Sequence, residues 1–530
     1  MLSKSRVTRR AFLAGAPATA AGGGLALSGC GGEEKESPLA TVLKEQGEPK
    51  RGGTIRRAST VLLSLDPMTA AGAPLAGLFY SVLVQLTDWQ GTVGDLATSW
   101  EVIDGLEWVF TLRPGVRFQD IPPASGRTFV APDVVHSVDR EKSMPGASES
   151  WDTWVDRYEA PDDATFIART KNPYAYLLNL VGMCAIIPIE AVEEFGDLTN
   201  HAIGTGPFML GTFSQDTGLE VVRNPLYYHD YPYVDGHSIR VIPDEASIQA
   251  AYRANAIDIY VASNRLKADV VRGVPGTSVT RYLDRAYACL RMNAVRAPSL
   301  KDERVREAFD LALDRKAMID RLQFGDGELA GPVPPAFDTA LPKEEVEAAY
   351  KRDVAKAKQL LSAAGQEGLR LKLSIGNYAD FPDQAAMIKD NLAEAGITID
   401  IDVGEVGAWL SNMMLGNFEI TVFTHYAYIT DEIPLQSHHS HGDTRTDRNY
   451  LGVDDPEVDA ILDQAQQTID DEERKKLAWE AQRLVLKRHG PTLHLYQPYG
   501  YWCAYDYIKG YTPTSYGFGL FKYDYWIDKG

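Results

Sequence analysis

Residues 369–428 read LRLKLSIGNYADFPDQAAMIKDNLAEAGITIDIDVGEVGAWLSNMMLGNFEITVFTHYAY, and this stretch decides the fold. Apolar residues at positions 369, 371, 373 and 375 alternate with polar ones, which places them on one face of a β-strand. The alternation recurs over residues 397–403, and residues 418–424 predict a third strand. Between the strands, helical spacing over residues 384–395, closed by Gly396, and a shorter pattern over residues 408–415 predict two helices.

Strands that alternate with helices form a parallel sheet joined by right-handed crossovers, so the predicted fold class is α/β. Ligands of such sheets bind beyond the carboxyl ends of the strands. Here those ends are aromatic and polar, with little charge before Asp431. We therefore expect this edge to form one wall of a ligand cleft. The residues that we assign to this wall are Asn377, Tyr378, Trp409, His425, Tyr426, Tyr428 and Asp431.

The whole chain has 530 residues, which is too long for a single hydrophobic core and predicts two or three domains. Its formal net charge is −20. Loss of residues 1–29 would remove four basic side chains and no acidic ones, leaving a charge of −24. Because phosphate binding requires a basic patch, this balance argues against nucleic acid as a partner.

The N-terminal segment has the pattern of an export signal. Residues 8–13, TRRAFL, form a twin-arginine pattern, and an apolar stretch rich in alanine and glycine follows. Its proline and glycines make it a poor membrane-spanning helix. Residues 27–30, LSGC, resemble a bacterial lipobox, in which the chain is cut before the cysteine and the thiol is acylated. We predict a lipoprotein signal peptide over residues 1–29, lipid on Cys30, and a polar tether over residues 30–50.

The region between the tether and residue 170 predicts mixed α and β structure. Asp104-Gly105 lies between two alternating runs, which predicts a β-hairpin. Residues 131–140 predict a helix with a proline in its first turn. Trp151 and Trp154 follow on a stretch rich in Pro, Gly and Ser, so we place them on a loop. On a loop, ligand stacking explains an aromatic side chain better than it does on a helix or strand.

No familiar catalytic or cofactor motif occurs in the sequence: there is no G-x-S-x-G, no H-E-x-x-H and no dinucleotide fingerprint. Four of the ten histidines fall between His425 and His441, as expected of either a metal site or a polar loop. We favour the loop, because the stretch is rich in Ser, Gly, Asp and Arg. The cysteines lack CxxC spacing, so we expect Cys184, Cys289 and Cys503 to be buried thiols. We predict neither a cofactor nor a metal.

A set of short stretches carries a family resemblance over nearly the whole chain after the tether. They are residues 51–54 (RGGT), 64–67 (SLDP), 96–100 (LATSW), 110–118 (FTLRPGVRF), 131–135 (APDVV), 204–208 (GTGPF), 304–308 (RVREA), 312–315 (ALDR) and 449–459. In these residues the chain resembles the extracytoplasmic solute-binding proteins of ABC importers in the oligopeptide, dipeptide and nickel class, known as family 5.

The resemblance implies a two-lobed, periplasmic-binding-protein-like clamshell of type II, with an extra mixed α/β subdomain in lobe one. Strands near Ala286 and Leu495 would be the hinge, and a small solute buried between the lobes would pass to a membrane permease. It also implies a monomer, held at the outer face of the cytoplasmic membrane by its lipid. The implied segments are residues 51–83, 189–285 and 496–530 for subdomain I, residues 84–188 for the inserted subdomain II, and residues 286–495 for lobe two.

One departure from the family pattern bears on the solute. Peptide-binding members resemble one another in an aspartate of lobe two that pairs with the free amino group of the peptide. Here the matching position is Tyr428 or Thr430, with Asp431 and Glu432 out of register, and Val422 replaces an arginine. The solute is therefore left open between a peptide, an oligosaccharide and a related compound. An aromatic, uncharged pocket suits a neutral solute best.

We expect Trp151 and Trp154 to face the lobe-two wall across the hinge, with Tyr496 lying beside the ligand. An exported hydrolase on the same fold and a peptide-sensing receptor without transport remain alternative functions. A cluster of cleft residues with perturbed pKa values would support the hydrolase.

Overall fold

A computed structural model describes residues 7–8, 47–69, 72–87, 91–144, 150–378, 380–426, 431–440, 451–452, 454–511 and 523–529. Four residues singled out in the sequence, Cys30, Tyr428, Thr430 and His441, lie outside this part of the chain, as does nearly all of the predicted signal peptide. For His425 and Tyr426 the structure describes the backbone only.

The strands are given in chain order. They are β1 (Val7–Thr8), β2 (Thr54–Ser59), β3 (Val84–Thr87), β4 (Gly91–Gly94), β5 (Ala97–Ile103), β6 (Glu107–Leu112), β7 (Val155–Asp162), β8 (Thr165–Thr170), β9 (Phe208–Ser214), β10 (Gly218–Arg223), β11 (Gly236–Val241), β12 (Ile259–Ala262), β13 (Thr277–Leu283), β14 (Ala286–Met292), β15 (Gly327–Leu329), β16 (Arg370–Gly376), β17 (Thr398–Gly404), β18 (Ile420–Tyr426), β19 (Thr492–Tyr505), β20 (Ile508–Lys509) and β21 (Trp526–Ile527).

The α-helices follow in the same order, and two short 3₁₀ turns cover Ala73–Leu75 and Pro298–Lys301. The helices are α1 (Ala76–Phe79), α2 (Ala131–Ser143), α3 (Ser150–Trp154), α4 (Leu177–Met183), α5 (Ile189–Phe195), α6 (Glu245–Arg253), α7 (Arg265–Arg272), α8 (Glu303–Ala312), α9 (Arg315–Leu322), α10 (Lys343–Ala349), α11 (Val354–Ala363), α12 (Phe381–Glu394), α13 (Val406–Met414), α14 (Glu432–Gln436), α15 (Pro456–Gln467) and α16 (Asp471–Arg488).

Lobe two is built on the stretch quoted at the outset, and the predicted strand–helix alternation is confirmed there. β16 pairs in parallel with both β17 and β18. Leu371, Leu373 and Ile375 are buried, whereas the intervening Arg370 and Lys372 are exposed. The alternation therefore does what its period of two predicts, because one face of β16 packs on the helices and the other is polar.

The inserted subdomain is an antiparallel sheet in the order β1-β5-β6-β8-β7. The hairpin predicted at Asp104-Gly105 joins β5 to β6, and both turn residues have positive φ angles, of 51° and 72°. Asp and Gly tolerate this left-handed backbone better than other residues do, which is why the dipeptide fixes the turn. The sheet buries Phe110 and Phe166 against α2 and α3.

One long strand joins the two lobes. β19 is 14 residues long and pairs with β14 and β15 in its first half and with β12 and β13 in its second half. The result is an eight-stranded arrangement in which β19 belongs to both lobes. Separate hydrophobic cores lie on either side of the crossing, as a two-lobed α/β fold requires.

Candidate ligand-binding cleft

In lobe two, the carboxyl ends of the parallel strands lie beside the crossing strands β14 and β19. β18 runs antiparallel to β14, so the backbones of His425 and Tyr426 pair with Tyr287 and Ala286 at the start of the hinge. At the end of β16, Asn377 donates its backbone N–H to the carbonyl of Gly404, at 3.0 Å. This edge therefore adjoins the hinge, where a ligand between the lobes would contact it.

Asn377 and Tyr378 are both exposed to solvent at this edge. Tyr378 is 51% exposed, and its ring packs edge-on against Phe381 with 5.9 Å between centroids. Both residues keep the accessibility that a ligand-contacting role requires. Their assignment to the ligand stays a prediction.

Trp409 does not present its ring to the cleft, contrary to our expectation. The residue lies in α13, is 8% exposed, and donates its indole N–H to Thr421 Oγ1 at 3.1 Å. Its ring packs against Gly376, where a Cβ atom would lie only 2.8 Å from the indole. Trp409 therefore fixes α13 to the sheet, and its exposed edge lines a separate groove of about 420 Å³ beside β16 and β17.

Trp151 is likewise a core residue and not a ligand contact. We expected a loop, but the residue belongs to the short helix α3 and is 1% exposed. Its indole N–H donates to Glu141 at 3.1 Å, and its ring packs edge-on against Tyr158. The polar neighbours in sequence concealed a position that is buried by tertiary packing.

Tyr496 is also buried, at 1% exposure, and is tied within lobe two. Its hydroxyl donates to Asp380 Oδ2 at 3.1 Å and lies 3.4 Å from Gln323 Nε2, which donates to it. Tyr496 therefore locks β19 to the N-terminus of α12 and does not lie open beside a ligand.

Trp154 lies on the inserted subdomain, where its ring stacks on that of Tyr174. The two rings are 4.7 Å apart and nearly parallel, with an interplanar angle of 2°. Tyr174 is fully buried, and its hydroxyl donates to Glu432 Oε1 of lobe two at 2.7 Å. Trp154 therefore supports the contact with the opposite lobe through Tyr174.

Asp431 and Glu432 of lobe two contact the inserted subdomain directly. The Tyr176 hydroxyl donates to Asp431 Oδ1 at 3.3 Å, and the backbone N–H of Ala175 donates to the Gln466 carbonyl at 2.7 Å. Gln466 also donates its side-chain N–H to Glu432 Oε1, at 3.3 Å. Both carboxyl groups are at least 90% buried. Asp431 thus bonds to the inserted subdomain, and its Oδ2 has no hydrogen-bond partner among the described residues.

Burial shifts three carboxyl groups near the crossing in the same direction. Burial raises the pKa of Glu432 to about 7, and it also raises the pKa of Asp431. At the hinge, burial raises the pKa of Asp284 to about 6. Two backbone hydrogen bonds act in the opposite direction, but their effect is smaller. The carbonyl of Asp284 accepts a hydrogen bond from the side chain of Gln497 on β19, so this carboxyl lies where the lobes pivot.

His438 and His439 are the two residues of the histidine stretch whose side chains the structure describes. His438 is buried beside His494, with 5.3 Å between their ring centroids, and burial lowers the pKa of His438 to about 3. His439 lies 3.3 Å from Asp463. Within the described ranges, no group of three or more His, Cys, Asp or Glu side chains is arranged to hold a metal ion. The three cysteines Cys184, Cys289 and Cys503 are buried free thiols, as the sequence predicted.

Sequence reasoning missed Tyr174 and Tyr176, which join the inserted subdomain to lobe two through hydrogen bonds. One feature of the sequence points to them: Pro173 precedes a Tyr-Ala-Tyr run, whose spacing of two turns both rings to the same side of an extended segment. Their carboxylate partners are more than 250 residues away along the chain. Nothing local predicts that pairing.

Two lobes that share a crossing strand and are joined by hydrogen bonds from the inserted subdomain have the architecture of a clamshell-type binding protein. Comparison with known families agrees with this class. The model described as "Bacterial extracellular solute-binding proteins, family 5 Middle" matches residues 91–446. The chain belongs to family 5 of the bacterial extracellular solute-binding proteins. In the described residues no helix combines the length and apolar character needed to cross a bilayer.

The relatives bind chemically different solutes. The oligopeptide-binding protein AppA of Bacillus subtilis (strain 168) is 24% identical over 521 residues, covering 92% of this chain and 93% of AppA. Heme-binding protein A of Haemophilus influenzae is 26% identical over 460 residues, covering 80% of this chain and 82% of that protein. Similarity at this level shows the shared family and leaves the solute open.

Solved structures share the fold. The periplasmic binding protein DppA from Helicobacter pylori, in complex with the peptide STSA, has a TM-score of 0.79 at 24% identity, covering 91% of this chain and 99% of DppA. AgaA from A.tumefacien R10, in complex with agropinic acid, has a TM-score of 0.77 at 22% identity, covering 90% of this chain and 99% of AgaA. These similarities confirm the two-lobed fold.

Proposed function

We propose that this protein is a lipid-anchored extracytoplasmic receptor that closes its two lobes on a small solute and delivers it to an ABC importer. The observation that carries the proposal is the direct contact of the inserted subdomain with lobe two. The hydroxyl groups of Tyr174 and Tyr176 reach Glu432 and Asp431 across the cleft rim. Such contacts exist only when the lobes are together, so they belong to a closed form that a ligand favours by differential binding.

For the solute, the geometry supports a molecule whose recognition does not depend on pairing with Asp431 or Glu432. One oxygen of each carboxyl group accepts a hydrogen bond from a tyrosine of the inserted subdomain. The edge at Asn377 and Tyr378 offers amide and phenol groups instead of charge. We therefore infer a neutral or weakly charged solute, such as an oligosaccharide, a blocked peptide or a related compound.

The same contacts support a binding protein rather than an enzyme. The hydrolase hypothesis required perturbed carboxyl groups free to act on a substrate. Asp431 and Glu432 do have raised pKa values, but burial between the lobes is the cause, and tyrosines of the opposite lobe occupy them. We propose a monomer held at the outer face of the cytoplasmic membrane through Cys30, with permease subunits as its membrane partners.

Native mass spectrometry of the exported, purified protein tests this function, because a receptor that encloses its ligand retains it during purification. We expect a bound small molecule at one-to-one stoichiometry that denaturation releases. Calorimetric titration of the emptied protein with the released compound should then restore binding. A protein that carries no solute, and that binds none when offered peptide and oligosaccharide mixtures, would contradict the proposal.

A further inference from the structure

We propose that Asp431, Glu432, Tyr174 and Tyr176 form a proton-coupled latch, in which closure of the lobes takes up a proton at Glu432. The inference rests on the proposed function, since it concerns the open and closed forms of the receptor. It adds a role for the inserted subdomain, which would stabilise the closed form without touching the solute. Below, "latch" means these four residues.

The geometry places two adjacent carboxyl groups in an interface with few charges to balance them. Asp431 and Glu432 are 7% and 5% exposed, and their phenol partners Tyr174 and Tyr176 are 0% and 5% exposed. Trp154 holds the Tyr174 ring by parallel stacking. Burial of an ionised carboxylate is costly unless an opposite charge or several hydrogen bonds compensate for it.

Several elements pack against the latch, and among the residues that the structure describes there, the groups that act on the two carboxyls include one cation. Arg474 of α16 lies 5.4 Å over the Tyr176 ring and acts on Asp431, although it is shared with Asp471 at 2.6 Å. Glu432 takes part in no ion pair within the described part of the chain. The other groups that face the two carboxyls are Tyr174 and Tyr176, Asn179 of α4, Asp338 and Thr339 of the loop before α10, and Gln466 of α15.

One guanidinium cannot balance two carboxylates, so one of the two holds a proton while the lobes are closed. Arg474 acts on Asp431, which leaves Glu432 as the proton carrier. Opening of the lobes returns Glu432 to water, where its proton leaves at its ordinary pKa. Closure therefore takes up a proton at pH values between the open-form and the closed-form pKa of Glu432, and lower pH favours the closed form there.

The size of the effect follows from the shift. With a pKa of about 7 when closed and an ordinary value of 4.5 when open, Glu432 makes the closed-to-open ratio about tenfold larger at pH 6 than at pH 8. The sign of this pH dependence follows from the direction of the pKa shift. Because the pKa of Glu432 is higher in the closed form, the closed-to-open ratio rises as the pH falls and decreases as the pH rises towards 7.

The test measures the distance between the lobes and the protonation of Glu432 in the same protein. Fluorescent labels on Glu159→Cys of β7 and Lys358→Cys of α11, in a soluble Cys30→Ser background, report closure. Both positions are exposed, and the three remaining native cysteines are buried. Infrared difference spectroscopy reports the carbonyl stretch of a protonated carboxyl group. Neither measurement requires a known solute, so failure to find one would not affect this test.

For the wild-type latch we expect the closed fraction to rise from pH 8 to pH 6, together with a protonated-carboxyl band. Glu432→Gln should reduce that band to the part that Asp284 contributes, because Asp284 also has a raised pKa of about 6, and it should keep the closed fraction the same at both pH values. Tyr174→Phe, which keeps the stacked ring, should lower the closed fraction at pH 6. The matched control is Glu345→Gln, which alters a surface carboxylate paired with Arg483 inside lobe two and should leave the response unchanged. A pH response of the closed fraction that survives in Glu432→Gln, or a protonated-carboxyl band there as strong as in the wild type, would overturn the proposal.

Discussion

The hydroxyl of Tyr174 lies 2.7 Å from Glu432 Oε1, and this hydrogen bond joins the inserted subdomain to the opposite lobe. The two residues are fully or nearly fully buried, so the bond forms away from bulk water. Its existence gives the inserted subdomain a direct part in the closed form. In a clamshell receptor, a contact made only in the closed form raises the apparent affinity for any solute that binds it.

Tyr174→Phe should therefore weaken solute binding without unfolding the subdomain. The change removes one hydrogen bond to a buried carboxyl group, worth about 1–3 kcal/mol, which is a loss of affinity of roughly 5- to 150-fold. Calorimetric titration with the solute released from the wild-type protein measures it. Tyr158→Phe is the control, because the Tyr158 hydroxyl bonds to Asp139 inside the same subdomain and should leave affinity unaltered. Equal affinities for wild type and Tyr174→Phe would show that the bond does not contribute to closure.

Trp409→Ala should reduce stability and leave the affinity of the folded protein nearly unchanged. The indole is 8% exposed, fills the space over Gly376 and donates a hydrogen bond to Thr421. Its removal therefore opens a cavity in lobe two. Loss of a buried aromatic side chain costs about 3–5 kcal/mol of unfolding free energy. Chemical denaturation measures the change. Leu410→Ala, at a position 39% exposed on the same helix, should cost less than about 1 kcal/mol. A strong loss of affinity with normal stability would instead place Trp409 in the ligand site.

Asp310→Asn should destabilise lobe two in a way that depends on pH. Asp310 forms a buried ion pair with Arg315, and its Oδ2 lies 2.8 Å from His489 Nδ1. Burial alone would raise the pKa of Asp310, but the charge of Arg315 and the bond to His489 outweigh it and lower the pKa below the usual 3.8. The variant leaves a buried guanidinium without its charge partner, which costs about 3–5 kcal/mol near neutral pH.

The pH dependence of this variant has a definite sign. Because the pKa of Asp310 is depressed in the folded chain, its contribution is fully present above the unfolded value of 3.8 and is lost as pH falls through the lower folded value. The stability difference between wild type and Asp310→Asn should shrink as the pH falls below about 4, where Asp310 itself takes up a proton. Denaturation curves above and below that pH check it, and a difference that grows on acidification would refute the assignment.

Cys30→Ser should move the exported protein from the membrane fraction to the soluble fraction. The predicted tether ends where the described fold begins, and Lys50 is paired with Asp528 on the surface, so the change should not disturb the cores. Fractionation followed by thermal unfolding measures both effects. Membrane retention at the wild-type level would mean that something other than lipid on Cys30 holds the protein.

Regular elements could be predicted from the sequence because their causes are local. The alternation at residues 370–376 and 398–404 reflects a strand with one buried face, and the left-handed turn at Asp104-Gly105 is a property of two residues. The strand ends that we assigned to the cleft wall do lie together next to the hinge strand β14, since the carboxyl ends of parallel strands lie at one edge, and their contact with a ligand stays a prediction.

Side-chain roles at the cleft could not be predicted in the same way. We expected Trp151 on a loop and Trp409 at the cleft, yet each ring is buried against neighbouring elements. Periodicity fixes which residues share a face, but it does not fix what covers that face. Tyr174 and Glu432 meet because the inserted subdomain folds over lobe two, a contact set by the arrangement of whole subdomains.

The sharing of β19 between the lobes also has a consequence for the nascent chain. Residues 492–505 provide the partner of β14 on one side and of β12 and β13 on the other, so the central sheet has unpaired edges until they are made. Unpaired strand edges recruit other chains and aggregate. Almost the entire polypeptide must therefore be synthesised before the strand edges that β19 covers can be paired in either lobe. Chaperone protection during synthesis should matter more here than for a protein whose domains are contiguous in sequence.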